Sequence, residues 1–154
     1  MNRQEVVTYA KTLVGIPYNH MGRNGLNDKP SGLDCAGVFL CIADHFGLPY
    51  RDILGSYSRY PGGQQIERLF SRWMVPIEKT DNPPMASVAL MYQVGYFTRG
   101  KEPPQHAFLV TQSDPLRILH AHDSPTFRRV VESPIPYGYL RRITHLFDFP
   151  GIED

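Results

Sequence analysis

The chain has 154 residues, 42% of them hydrophobic, which is enough for one domain with its own core. Sixteen Lys and Arg against fifteen Asp and Glu give a formal net charge of +1, so there is no bulk electrostatic case for nucleic acid or an anionic membrane. Eight Phe, nine Tyr and one Trp exclude a disordered chain, while 14 Pro and 13 Gly point to turns and long loops rather than a helix bundle.

Residues 3–14 carry Val6, Val7, Ala10, Leu13 and Val14 at close to helical spacing, and Gly15 with Pro17 ends that helix. Glu5 and Lys11 interrupt any apolar core of an export signal, and the longest apolar run, 38–43, is far short of a membrane span. The expectation is therefore a protein that is cytoplasmic as synthesised. Residues 18–33 are polar and turn-rich and read as a loop. From Asp34 to Phe46 the pattern is helical, with Asp34 as N-cap and Gly47-Leu48-Pro49 as stop. A tyrosine-rich connection over 50–61 leads through Gly62-Gly63 to a short helix at 64–74. Strands are expected at 88–92, 107–111, 117–122 and 127–132, with a further one at 142–149, separated by Pro-rich turns. Helices first and strands second means an α+β domain, taken to span 1–154.

The two cysteines, Cys35 and Cys41, have five residues between them and face different sides of a helix, so no bridge is expected. Cys35 opens the helix, where unsatisfied N–H groups and the positive dipole end favour a thiolate. The small Ala36 and Gly37 leave room for a substrate backbone. Cys41 lies within the helix and is read as packing. A cysteine nucleophile needs a base, and His106 opens a strand at the end of a Pro-rich loop. His120 lies on the next strand and is placed to fix the His106 tautomer. His120 and His122 are two apart and face the same side, so periodicity does not choose between them. A rival reading takes His106, His120 and His122 as zinc ligands with Asp34 or Asp123. It lacks a spaced third ligand, and no metal is assigned.

Gly32-Leu33-Asp34-Cys35-Ala36-Gly37-Val38 resembles the Gly-x-Asp-Cys-Ser/Ala-Gly-aliphatic motif of NlpC/p60 cysteine peptidases. Gly15-Ile16-Pro17-Tyr18, Gln105-His106-Ala107-Phe108-Leu109-Val110 and Leu119-His120-Ala121 are similar to the segments that accompany it, in the same order. Pro17-Tyr18-Asn19-His20-Met21-Gly22-Arg23 resembles the Pro-Tyr-x-His-x-Gly-Arg pattern of the phage-tail-associated branch. The resemblance implies a papain-like fold, with the nucleophile at a helix N-terminus packed on a C-terminal antiparallel sheet. It implies hydrolysis of a peptidoglycan stem-peptide amide, typically between γ-D-glutamate and the diamino acid. Cys35 would be the nucleophile, His106 the base and later acid, and His120 its orienting partner. Tyr18 and Asp34 would serve oxyanion or substrate binding, the backbone N–H of Cys35 would be a further oxyanion donor, and no cofactor is implied. Expected partners are the peptidoglycan peptide and phage tail proteins. The chain departs from the family pattern at Met21-Gly22 and at Met85-Ala86-Ser87-Val88, and in a long loop over 94–105. Two alternatives are a structural tail-tip component with vestigial activity and an acyl-transfer hydrolase acting on a non-wall amide.

Overall fold

The computed structural model describes residues 1–50, 57, 64–93 and 104–154. Helix α1 (Arg3–Thr12) starts where the sequence supplies a capping box. Asn2 Oδ1 accepts from Glu5 N at 2.9 Å, and Glu5 Oε2 accepts from Asn2 N at 2.8 Å. Helix α2 (Cys35–His45) is buried from Ala36 through Ala43, because its apolar residues run all round the cylinder. Helix α3 (Gln65–Ser71) is shorter than the sequence pattern and buries Ile66, Leu69 and Phe70.

Six strands follow: β1 (Val75–Ile77), β2 (Val88–Met91), β3 (His106–Ser113), β4 (Leu116–His122), β5 (Arg129–Pro134) and β6 (Ile143–Asp148). They form one sheet in the order β1-β6-β2-β3-β4-β5, and every neighbouring pair is antiparallel. Five strands correspond to predicted ones, shifted by up to a few residues. β1 does not. It is three residues long with Pro76 at its centre, which only an edge strand tolerates.

The period-2 alternation of the strands makes two cores. Val88, Leu90, Ala107, Leu109, Leu119 and Ala121 face the helices and join Val6, Ala10, Phe39 and Phe70. Ala89, Met91, Phe108, Val110 and Ile118 face the other way, beneath Tyr139 and Leu140. Each fully buried aliphatic side chain contributes about 1.5–3 kcal/mol. Arg3 ties the chain ends together. Its guanidinium grips Asp148 at 2.8 and 2.9 Å and Asp154 at 2.6 Å. The helix-side core packs α2 across β3 and β4, which brings the start of α2 to the start of β3.

Candidate active site

The loop before α2 is folded by contacts that only glycine permits. A Cβ on Gly37 would lie 2.2 Å from the Gly22 carbonyl oxygen, and one on Gly22 would lie 2.5 Å from the Gly32 carbonyl oxygen. Gly32 itself has φ +75°, in the left-handed region. Bridges from Tyr18 and Arg23 to Leu33 draw the loop back beside the residue two before Cys35.

Asp34 is the N-cap of α2, as expected: its Oδ1 accepts from Gly37 N at 2.8 Å. It does more than cap. Met21 N donates to Oδ2 at 3.0 Å, Arg23 Nη1 donates to Oδ1 at 2.9 Å, and the Tyr57 hydroxyl donates to Oδ2. Arg23 Nη2 also donates to the Tyr57 hydroxyl at 3.0 Å, and its Nη1 to the Gly22 carbonyl at 2.9 Å. The ion pair is buried, with side chains only 2% and 3% exposed. His20 completes the group, with Nε2 2.7 Å from the Tyr57 carbonyl oxygen. Burial, followed by the Asp34 charge, pushes the Tyr57 hydroxyl far above its ordinary range and keeps it a neutral donor. Arg23 and Tyr57 carry this network; the sequence places Arg23 only within the Pro17-to-Arg23 pattern and Tyr57 only among tyrosines that line a groove or cap the core, and it links neither to Asp34. The close-packed glycines and the Arg23 in their midst were the available signal.

Cys35 is partly exposed, and Cys41 is buried with its sulfur 3.7 Å from the Arg23 carbonyl oxygen. The backbone N–H groups of Ala107 and Ala36 act on the Cys35 thiol in the direction that favours a thiolate. Burial, then the Asp34 charge, pushes the thiol up to about 12, against the opposing pull of those amides and Arg23.

His106 immediately precedes Ala107 in β3, so its backbone adjoins the amide that acts on Cys35. His106 Nε2 lies 2.7 Å from His120 Nδ1, both side chains being buried. That contact settles which of the paired histidines touches His106. The His122 ring stands 5.0 Å from the His120 ring, and its Nδ1 is buried without a partner. Burial is the main cause that lowers His106 to about 3 and His120 to about 2, and the neighbouring imidazoles add to it. Tyr139 closes the cluster edge-on to His120 at 6.0 Å. Tyr18, half-buried, packs against the helix-side core and donates its backbone N–H to the Arg128 carbonyl at 2.9 Å.

Among the described residues, no three His, Cys, Asp or Glu side chains are grouped to hold a metal ion. Nor is any described helix long and apolar enough to cross a membrane. The long loop predicted over 94–105, Tyr60 and the Gly62-Gly63 pair lie largely or wholly outside the described residues.

No protein-family model and no curated protein matches the chain. Solved structures do share its fold. An NlpC/p60 family protein from Bacillus cereus is 17% identical with a TM-score of 0.67, over 97% of this chain and 40% of that one. The NlpC/p60 domain of the peptidoglycan hydrolase SagA is 15% identical with a TM-score of 0.58, over 97% of this chain and 100% of the domain. A Staphylococcus aureus protein described as similar to lipoprotein, NLP/P60 family, is 14% identical with a TM-score of 0.60, over 99% of this chain and 42% of that one. The chain thus spans about two-fifths of the Bacillus and Staphylococcus proteins and the whole of the SagA domain. In architecture, with three α-helices against a six-stranded antiparallel sheet among the described residues, the chain has the α+β, papain-like fold of NlpC/p60 proteins.

Proposed function

We propose that the chain is a cysteine peptidase that hydrolyses an amide bond in peptidoglycan stem peptides, of the γ-D-glutamyl-diamino acid type. One observation carries the reading. A thiol at the N-terminus of a buried helix is influenced by the amide that follows His106, and His106 is hydrogen-bonded to His120 at 2.7 Å. SagA, a structural neighbour, is described as a peptidoglycan hydrolase.

The protonation states define the chemistry. With Cys35 pushed up to about 12 and His106 lowered to about 3, the thiol and the imidazole both rest neutral. His106 acts as base through Nδ1, which requires its Nε2–H to donate to His120 Nδ1. His120 stays neutral and keeps accepting as His106 becomes imidazolium. The proton leaves the sulfur as the carbon–sulfur bond forms, and His106 returns it to the departing amine. Water then attacks the thioester with His106 again as base, releasing the acid and the thiol. The oxyanion meets the first N–H groups of α2, that of Cys35 among them, and the Tyr18 hydroxyl. Asp34 is reassigned from substrate binding to scaffold, since both its oxygens are taken by internal donors.

The Pro17-to-Arg23 pattern favours a phage-tail setting, with action at the cell wall after delivery. Purified peptidoglycan digested by the wild type and by Cys35→Ala, with fragments read by mass spectrometry, tests the function. Stem peptides cut by the wild type alone are the expected result. Identical digests from two folded, reduced proteins would refute it.

A further inference from the structure

A second group of polar side chains lies at the same end of the sheet as His106. Met91 pairs with His106 on one side and with Ile143 on the other. The residues that continue those strands, Tyr92 and Arg142, are joined by a 3.3 Å hydrogen bond from Tyr92 N to the Arg142 carbonyl. Together with Tyr137, Gly138 and Arg141 they line a cavity of about 420 Å³, large enough for one amino-acid residue of a ligand.

The cavity has an excess of positive charge. Among the described residues, neither Arg141 nor Arg142 meets a carboxylate. Both are held by neutral groups instead. The Arg142 guanidinium lies 5.1 Å over the Tyr139 ring, and its Nε donates to the Gly138 carbonyl at 3.1 Å. Arg141 lies 5.4 Å over the Tyr137 ring, which is 93% exposed. Arg142 is held through Nε, with no hydrogen-bond partner among the described residues on its terminal nitrogens, whereas Arg141 Nη2 donates to the Tyr137 hydroxyl at 3.4 Å. An oriented guanidinium of the Arg142 kind is suited to a planar carboxylate. The groove also communicates with the site. The Arg142 charge helps to hold His106 neutral, and Tyr139 stands between Arg142 and His120.

We propose that the Tyr92–Tyr137–Arg141–Arg142 groove is a carboxylate-binding subsite, which selects substrates carrying a free carboxylate close to the amide that Cys35 attacks. The choice of substrate rests on the peptidase reading; the anion preference of the groove does not. A stem peptide offers that chemistry from two sources: the α-carboxylate of a γ-linked glutamyl residue and the carboxylate of the diamino acid.

The probes are L-alanyl-γ-D-glutamyl-L-lysine and its two singly amidated forms, one blocked at each carboxylate. For the wild type, amidation at the recognised carboxylate should lower kcat/KM about 10- to 100-fold, chiefly through KM. Arg142→Gln should erase that preference, Arg141→Gln should reduce it, and Arg142→Lys should restore part of it. Equal kcat/KM for all three peptides, or a preference unchanged in Arg142→Gln, would overturn the subsite. The same peptides titrated calorimetrically into Cys35→Ala read binding without turnover and so separate the two proposals. If no peptide is cut but binding still depends on one carboxylate and on Arg142, the subsite stands and the peptidase reading falls. Binding that ignores amidation, or no binding at all, overturns it. Thermal melts of each variant test misfolding as the cause; among the described residues the Arg141 guanidinium meets only the exposed Tyr137 side chain, so Arg141→Gln is the variant least expected to disturb the fold.

Discussion

The two sides of the candidate site handle charge in opposite ways. Beneath Cys35, a full ion pair between Arg23 and Asp34 is buried, and each oxygen of the carboxylate has at least two donors. On the histidine side, His106 and His120 are similarly buried, no carboxylate among the described residues is paired with either, and burial is the main cause that holds both neutral. A charge compensated this completely is fixed and can only support. A group kept neutral by desolvation and one hydrogen bond can take up a proton when a reaction supplies one. The comparison separates scaffold from chemistry, and substitutions on the two sides should fail differently.

The largest effect is expected on the histidine side, and in activity. His106→Ala should lower kcat by about 1000-fold or more, with the melting temperature changed little, since it removes the base and leaves the helices intact. Peptide turnover and a thermal melt on the same sample check both halves. Retained turnover would move the base elsewhere. Asp34→Ala should do the reverse. It strands the Arg23 guanidinium in the core and uncaps α2, at a cost of about 3–5 kcal/mol in stability. Urea unfolding measures it. A loss under about 1 kcal/mol would mean that the network is dispensable and that the boundary between scaffold and chemistry is drawn wrongly.

A smaller effect, sharper in its logic, concerns the thiol. A Cys35 pKa raised to about 12 leaves about one part in 10⁵ as thiolate at pH 7. Because the shift is upward, the thiolate fraction grows with pH, so alkylation by iodoacetamide should rise about tenfold per unit from pH 6 to 10 without a plateau. Cys41, raised to about 11, rises similarly, so the rates are read residue by residue by peptide mass spectrometry. A plateau with an inflection near pH 4–6 would instead reveal a resting thiolate–imidazolium pair and contradict the neutral histidine side.

Much of the helix–strand order could be read in the sequence, because it depends on local signals. Asp34 before a helical run, and Gly47 with φ +63° after it, mark α2 within a residue. Alternation in β3 and β4 put His106 and His120 on neighbouring strands. What escaped is long-range. Tyr57 reaches Asp34 across 23 residues of chain, and no periodicity announces such a contact. β1 was missed because three residues around a proline carry no alternation. The choice between His120 and His122 is decided by side-chain reach, which a period of two cannot encode.

The smallest effect belongs to His122, the residue that periodicity could not separate from His120. Its ring is near enough for its charge to oppose protonation of both other imidazoles, yet its Nδ1 is buried without a hydrogen bond. Its own pKa is lowered, chiefly by burial and despite the upward pull of Asp123. As pH falls, a protonated His122 therefore repels a proton on His106, and replacing it with a neutral side chain removes that repulsion. His122→Gln should raise the His106 pKa and move the acid limb of kcat/KM to higher pH, by less than about one unit. At pH 7 turnover should change less than about threefold, whereas His120→Gln should cost about 10- to 100-fold by losing the 2.7 Å contact. NMR titration of the imidazole protons in the two variants checks the ordering. If His122→Gln were the more damaging, the orienting role would pass to His122, and the 2.7 Å contact would belong to the scaffold side of the comparison.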